Sequence, residues 1–140
     1  MSVPPRSAMM ATYQMVAAHG GVAAADPHRL VVMLMDGALS RIANARGCAE
    51  RKAIAEKSAH LHRVMAILDE LRHSLDLSQG EIATNLDDLY EFMSRQLLKA
   101  HVDHGVEILD SVAALLGEIR SAWIALPIEA RALRRDRGPQ

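Results

Sequence analysis

The sequence predicts an all-α fold, an antiparallel up-and-down four-helix bundle, on three observations. Half of the residues are hydrophobic but only four are aromatic, and Ala, Leu and Met outnumber the β-branched residues, which favours helix over sheet. Apolar residues recur at spacings of three and four along four successive segments. Breakers separate these segments near 50–52, 76–80 and 100–105, and helices of similar length joined by short loops must alternate in direction. At 140 residues the chain is one domain, long enough for a real core. The expected division is an N-terminal flap over 1–26, the bundle over 27–126, and a flexible Arg-rich tail over 127–140.

The first 25 residues carry Pro4, Pro5, Gly20 and Gly21 and are expected to be mostly irregular. Met9, Met10, Tyr13 and Val16 nevertheless keep helical spacing, which a purely solvated tail has no need of. Helix one is expected from 27 to about 50. Asp26 can cap free backbone N–H groups, and Pro27 at the first helical position sacrifices no hydrogen bond. The apolar run that follows is too rich for one face. Leu30, Met33, Leu34, Gly37 and Ala38 form one stripe, and Val31, Met35 and Leu39 form a neighbouring one. One stripe suffices to pack a helix into a bundle. The second must be covered by another helix of the chain or by a partner.

Helix two is expected over about 53–75, with Leu61, Val64, Leu68, Leu71 and Leu75 inward. Residues 76–80 follow as a loop of turn-forming types. Helix three, from 81 to about 101, is expected to turn Ile82, Leu86, Leu89, Met93 and Leu97 inward, with Glu81 at the end that favours negative charge. Helix four is expected to begin near Asp103 as its cap. Its stripe is Val106, Leu109, Val112, Leu116, Ile119 and Trp123, and Pro127 ends it. The tail beyond has low hydrophobicity and reads as disordered.

Several functions are disfavoured. The net charge of −1 gives no reason to expect nucleic acid as a partner. The imbalance lies in the last 13 residues, where four arginines face Glu129 and Asp136. No apolar run approaches the ~20 residues of a membrane span. Cys48 stands alone, which rules out an internal disulfide and fits a reducing, cytosolic setting. Glu70-Leu-Arg-His73 has the spacing of a di-iron bundle ligand pair, but a second copy is missing. His101, Asp103 and His104 straddle a helix end and read as solvated turn residues. No phosphate loop, zinc-protease motif or nucleophile constellation is present. The expectation is a protein without cofactor, metal or catalysis.

Four motifs occur in order. They are Tyr13 followed by Pro27, Leu30, Met33, Leu34, Asp36, Gly37, Ala38 and Leu39; Leu71, Ser74, Leu75 and Asp76; Gly80, Asn85, Leu86, Leu89, Tyr90, Met93, Leu97 and Ala100; and Leu115, Leu116, Ile119, Arg120, Ala122 and Trp123. In this order and spacing, over about four fifths of the chain, the sequence resembles the flagellar secretion chaperone FliS family. Met35 stands where that family usually has an aromatic, Gln79-Gly80 where it has a Gly pair, and Asp26 where it has a small hydroxyl residue. The resemblance implies an antiparallel helical bundle that binds the disordered C-terminal segment of flagellin in the cytosol. It also implies that the bundle prevents premature polymerisation and delivers its client to the flagellar export gate. Recognition would be helix-in-groove, coupled to folding of the client. Val31, Met35, Leu39, Tyr90 and Met93 are then the partner-binding candidates, with Tyr13 in a flap that covers apolar surface in the free protein. The alternative is a scaffold bundle that self-associates through the same surplus apolar residues.

Overall fold

The computed structural model describes residues 27–103 and 105–126. They form four helices, α1 (Pro27–Glu50), α2 (Ile54–His73), α3 (Glu81–Val102) and α4 (Val106–Ile124), with a 3-10 turn at Leu77–Gln79. There is no β-strand among the described residues. Each helix packs on its neighbours in sequence, and α1 closes the ring against α4. The fold is the antiparallel four-helix bundle the sequence predicts. The flap and the tail lie outside the described residues.

The turns explain how the ring closes. At the end of α1 the Ala53 N–H reaches the Cys48 carbonyl at 2.8 Å and the Lys52 N–H reaches the Ala49 carbonyl at 3.1 Å. Lys52 takes the left-handed conformation between them, with φ 60°, so the helix ends in a Schellman motif. Between α2 and α3 the Asp76 carboxylate accepts from the Ser78 N–H at 3.1 Å and the Ser78 hydroxyl at 2.6 Å, and Gly80 supplies φ 105°. Between α3 and α4 the chain turns on Gly105 at φ 77°. A Cβ there would lie 2.8 Å from the Ala100 Cα, so no larger residue fits without movement. Gly105, and not Asp103 as expected, sits at the N-cap of α4; Asp103 closes the last turn of α3, its N–H bonded to the Lys99 carbonyl. The cap fell to Gly105 because only glycine tolerates both its φ and the approach of Ala100.

The core runs through all four helices, and its stripes on α2 and α4 follow the predicted periodicity. Leu61, Val64, Leu68 and Leu71 are buried on α2, with Leu75 just beyond it, and Leu109, Val112, Leu116, Ile119 and Trp123 are buried on α4. Two expectations are corrected. On α1 the residues taken as surplus, Val31 and Met35, belong to the central stripe with Leu34, Ala38, Ile42 and Ala45, while Leu30 and Met33 are half-buried and Gly37 is exposed. On α3 the buried stripe is Ala83, Tyr90, Met93, Leu97 and Ala100. Ile82 is exposed, and Leu86 and Leu89 are half-buried at the margin of the core. The reason is steric. Ala83 and Ala100 let α3 approach its neighbours closely, and that rotation turns bulkier residues outward.

Polar contacts fix the register of the helices. Arg46 bonds Asp110 through both Nε and Nη2 and also Glu50, and Arg120 pairs with Asp36, so two bridges join α1 to α4. Arg72 holds Asp87 in a forked contact between α2 and α3. At the opposite end from the α1–α2 turn, the His28 and Trp123 rings stack with centroids 5.1 Å apart. The His28 Nε2–H donates to the Trp123 carbonyl at 2.7 Å, and the Trp123 indole donates to the His28 carbonyl at 3.1 Å.

Candidate partner-binding surface

The sequence singled out six residues, and the structure places five of them; Tyr13 lies outside the described residues. Val31, Met35, Tyr90 and Met93 are buried to 2% exposure or less. They are brought together in one core cluster, and Leu39 packs against its edge, half-buried. Burial pushes the Tyr90 phenol above its ordinary pKa, since a phenolate would lose its hydration there. In this conformation a partner does not reach these four side chains directly.

Other residues offer apolar surface, and α3 carries most of them. Ile82, Phe92, Leu98 and Val102 are all exposed on this one helix. Helical spacing sorts them by flank. Asp87, which pairs with Arg72, and His101, whose ring lies tilted against that of His62, mark the side of α3 turned toward α2. Leu89 and Phe92, three residues apart, lie on the other side, toward α4. On α4, Asp110 and Arg120 mark the side turned toward α1. Ile108 and Leu115, seven residues apart, lie on the side toward α3. Leu89, Ile108 and Leu115 are each half-buried against the core, and Phe92 is 43% exposed. Of the neighbouring helix pairs, α3 and α4 pack least extensively. The result is a strip of apolar side chains along the α3–α4 seam, Leu89 and Phe92 from α3 and Ile108 and Leu115 from α4.

Sequence reasoning missed Phe92 and the outward residues Leu98 and Val102. The signal was available for Phe92: it is the chain's one phenylalanine, and it falls out of register with Met93 and Leu97.

The residues weighed as metal ligands do not converge. Glu70 is buried, whereas His73 is exposed and donates from Nδ1 to the Asp69 carbonyl at 2.8 Å. No group of three His, Cys, Asp or Glu side chains among the described residues is arranged to hold an ion. Cys48 is buried, with the Arg51 guanidinium 3.5 Å from its Sγ. His101 is not a solvated turn residue as expected: its ring is half-buried, and its Nδ1 is buried without a hydrogen-bond partner. No helix among the described residues is long and apolar enough to cross a membrane.

The profile of the family described as flagellar protein FliS matches residues 9–130. The flagellar secretion chaperone FliSB of Pseudomonas aeruginosa is 44% identical over 115 residues, covering 81% of this chain and 91% of that one. The flagellar secretion chaperone FliS of Vibrio cholerae is 36% identical over 118 residues, covering 84% and 87% respectively. That of Salmonella typhimurium is 38% identical over 113 residues, covering 79% and 84%.

Proposed function

Because the chain belongs to the FliS family of flagellar proteins, we propose that it is a cytosolic, non-catalytic export chaperone for flagellin. It binds the disordered C-terminal segment of flagellin, keeps that segment from polymerising prematurely, and presents it to the flagellar export gate. The observation that carries this reading is the apolar strip along the α3–α4 seam, with Phe92 exposed at its edge. An amphipathic segment that folds into a helix as it docks buries its own apolar face there together with Leu89, Ile108 and Leu115. The names of the relatives, all secretion chaperones, support the same reading.

In this scheme the sequence candidates divide by depth. The seam residues meet the client at the surface, and Leu39, half-buried on α1, contributes apolar surface on the other side of α4. Val31, Met35, Tyr90 and Met93 lie deeper, in the shared core, and touch the client only where it lifts a covering side chain. Tyr13 belongs to an N-terminal flap that masks apolar surface until the client displaces it.

Calorimetric titration of the full chain with a synthetic flagellin C-terminal segment tests the proposal. One saturable site per chain is expected. Phe92→Asp, at an exposed position, should leave the fold intact and weaken binding by roughly tenfold or more, since a charge would be desolvated in the interface. Absence of binding, together with concentration-dependent self-association that Phe92→Asp abolishes, would favour the scaffold alternative.

A further inference from the structure

A second feature lies at the other side of α3, where the α1–α2 turn meets the α3–α4 turn. A cavity of about 240 Å³ opens there, lined by Cys48, Ala49, Lys52, Ile54, Lys57 and His101, with Val102 and Asp103 completing the wall. Lys57 is 5% exposed. Its ammonium donates to the Ala100 carbonyl at 2.8 Å and the Asp103 carbonyl at 2.7 Å, which caps the end of α3. Those two bonds use two of its three N–H groups. Among the described residues no carboxylate lies within ion-pair distance of it. A buried cation satisfied only by carbonyl dipoles is unusual, because buried charges are ordinarily paired. His101 lines the same cavity, and its ring Nδ1 is buried with no hydrogen-bond partner. Lys52 adds a second ammonium at the cavity wall. Ile54 and Val102, 70% and 83% exposed, form an apolar rim.

We propose that this cavity is a carboxylate-binding site that takes an anionic group carried on a small apolar body. The carboxylate accepts the spare Lys57 N–H and lies against the His101 ring, and the apolar body rests against Ile54 and Val102. Asp103 opposes the anion from the wall, so the affinity is modest and is set by the balance between Lys57, Lys52 and Asp103. The shared chemistry fits two sources, a free small carboxylic acid or the terminal carboxylate of a polypeptide. The proposal is independent of the flagellin reading, since the cavity is separate from the α3–α4 strip.

The test is NMR titration of the ¹⁵N-labelled full chain with isobutyrate, and with isobutyramide as a neutral control of the same shape. Saturable shifts at Ala49, Ile54 and Ala100–Asp103 with isobutyrate alone support the site. Asp103→Asn should tighten binding by about threefold or more by removing the opposing charge, while Ile54→Asp should weaken it by about as much. Both positions are exposed, and Lys57 uses the backbone of Asp103, so neither change should disturb the fold. Lys57→Met should abolish binding where it folds. A third titration, with a short peptide ending in a free Val carboxylate, separates the sources: tighter binding than isobutyrate assigns the site to a polypeptide terminus, and equal or weaker binding assigns it to a free acid. Equal binding of isobutyramide and isobutyrate, no saturation with isobutyrate, or indifference to both Asp103→Asn and Ile54→Asp overturns the proposal.

Discussion

Asp36 and Arg120 stand 84 positions apart and pair across the α1–α4 contact. Both belong to the motifs by which the sequence resembles the family, and so do Asp76, which caps the 3-10 turn, and Trp123, which clasps His28. These motif positions hold the scaffold together; none of the four is a seam residue. Their presence was legible in the sequence, but their pairings were not, because nothing local to either partner records a contact across the bundle. Lys57 shows the same limit. A lysine in the first turn of a helix reads as solvated, and only the approach of the α3 terminus buries it. Single-residue predictions follow from this geometry. Gly105→Ala should destabilise the protein by about 1–3 kcal/mol, read from urea unfolding, because it combines a left-handed φ with a 2.8 Å approach to Ala100. Met35→Ala, at a fully buried site, should cost about 2–5 kcal/mol in the same measurement. Asp110 gives a pH-dependent expectation. Its hydrogen bond from Arg46 holds the carboxyl below its ordinary pKa. A carboxylate depressed in the folded state contributes stability above its unfolded pKa of about 4 and loses it as pH falls through the lower folded value. The stability difference between the protein and Asp110→Asn should therefore be present at neutral pH and vanish in strong acid.

At the scale of the helix, α3 carries four of the exposed large apolar residues among those described, Ile82, Phe92, Leu98 and Val102. The existence and approximate ends of the four helices were readable, because apolar spacing and breakers report directly on local structure. The rotation of α3 was not. Weighting by side-chain size put Ile82 and Leu89 inward, whereas packing put the small Ala83 and Ala100 there. On α1 the central stripe keeps Leu34 and Ala38 and gains Val31 and Met35 in place of Leu30, Met33 and Gly37. This rotation separates two neighbouring residues by role. Phe92→Ser should change stability by no more than about 0.5 kcal/mol, as for an ordinary surface position, yet weaken flagellin binding severalfold. Met93→Ala, one residue on and fully buried, should lower stability by about 2–5 kcal/mol. Paired unfolding and binding measurements on the two variants check both statements. Equal effects on stability would mean that Phe92 is packed like Met93.

Across the whole molecule, the two ends of the bundle have different tasks in this account. One end clasps α1 to α4 through His28 and Trp123, close to where the chain enters at Pro27 and leaves after Leu126. The other end holds the Lys57 cavity. Between them runs the α3–α4 strip, where the client is proposed to lie. The arginine-rich tail has no part in this scheme, so removal of residues 129–140 should leave the melting temperature and client affinity nearly unchanged. Removal of residues 1–16 should leave the bundle folded and tighten client binding, by an amount bounded by the docking free energy of the flap. It should also raise self-association of the free protein by unmasking apolar surface. The central claim is that a flagellin C-terminal segment docks on the apolar strip along the α3–α4 seam. Methyl NMR of the full chain during titration with that segment tests it most directly. Shifts of Leu89, Ile108 and Leu115 that saturate at one segment per chain are the predicted result. A segment that binds while leaving these three methyl groups unshifted, or that does not bind, would contradict it.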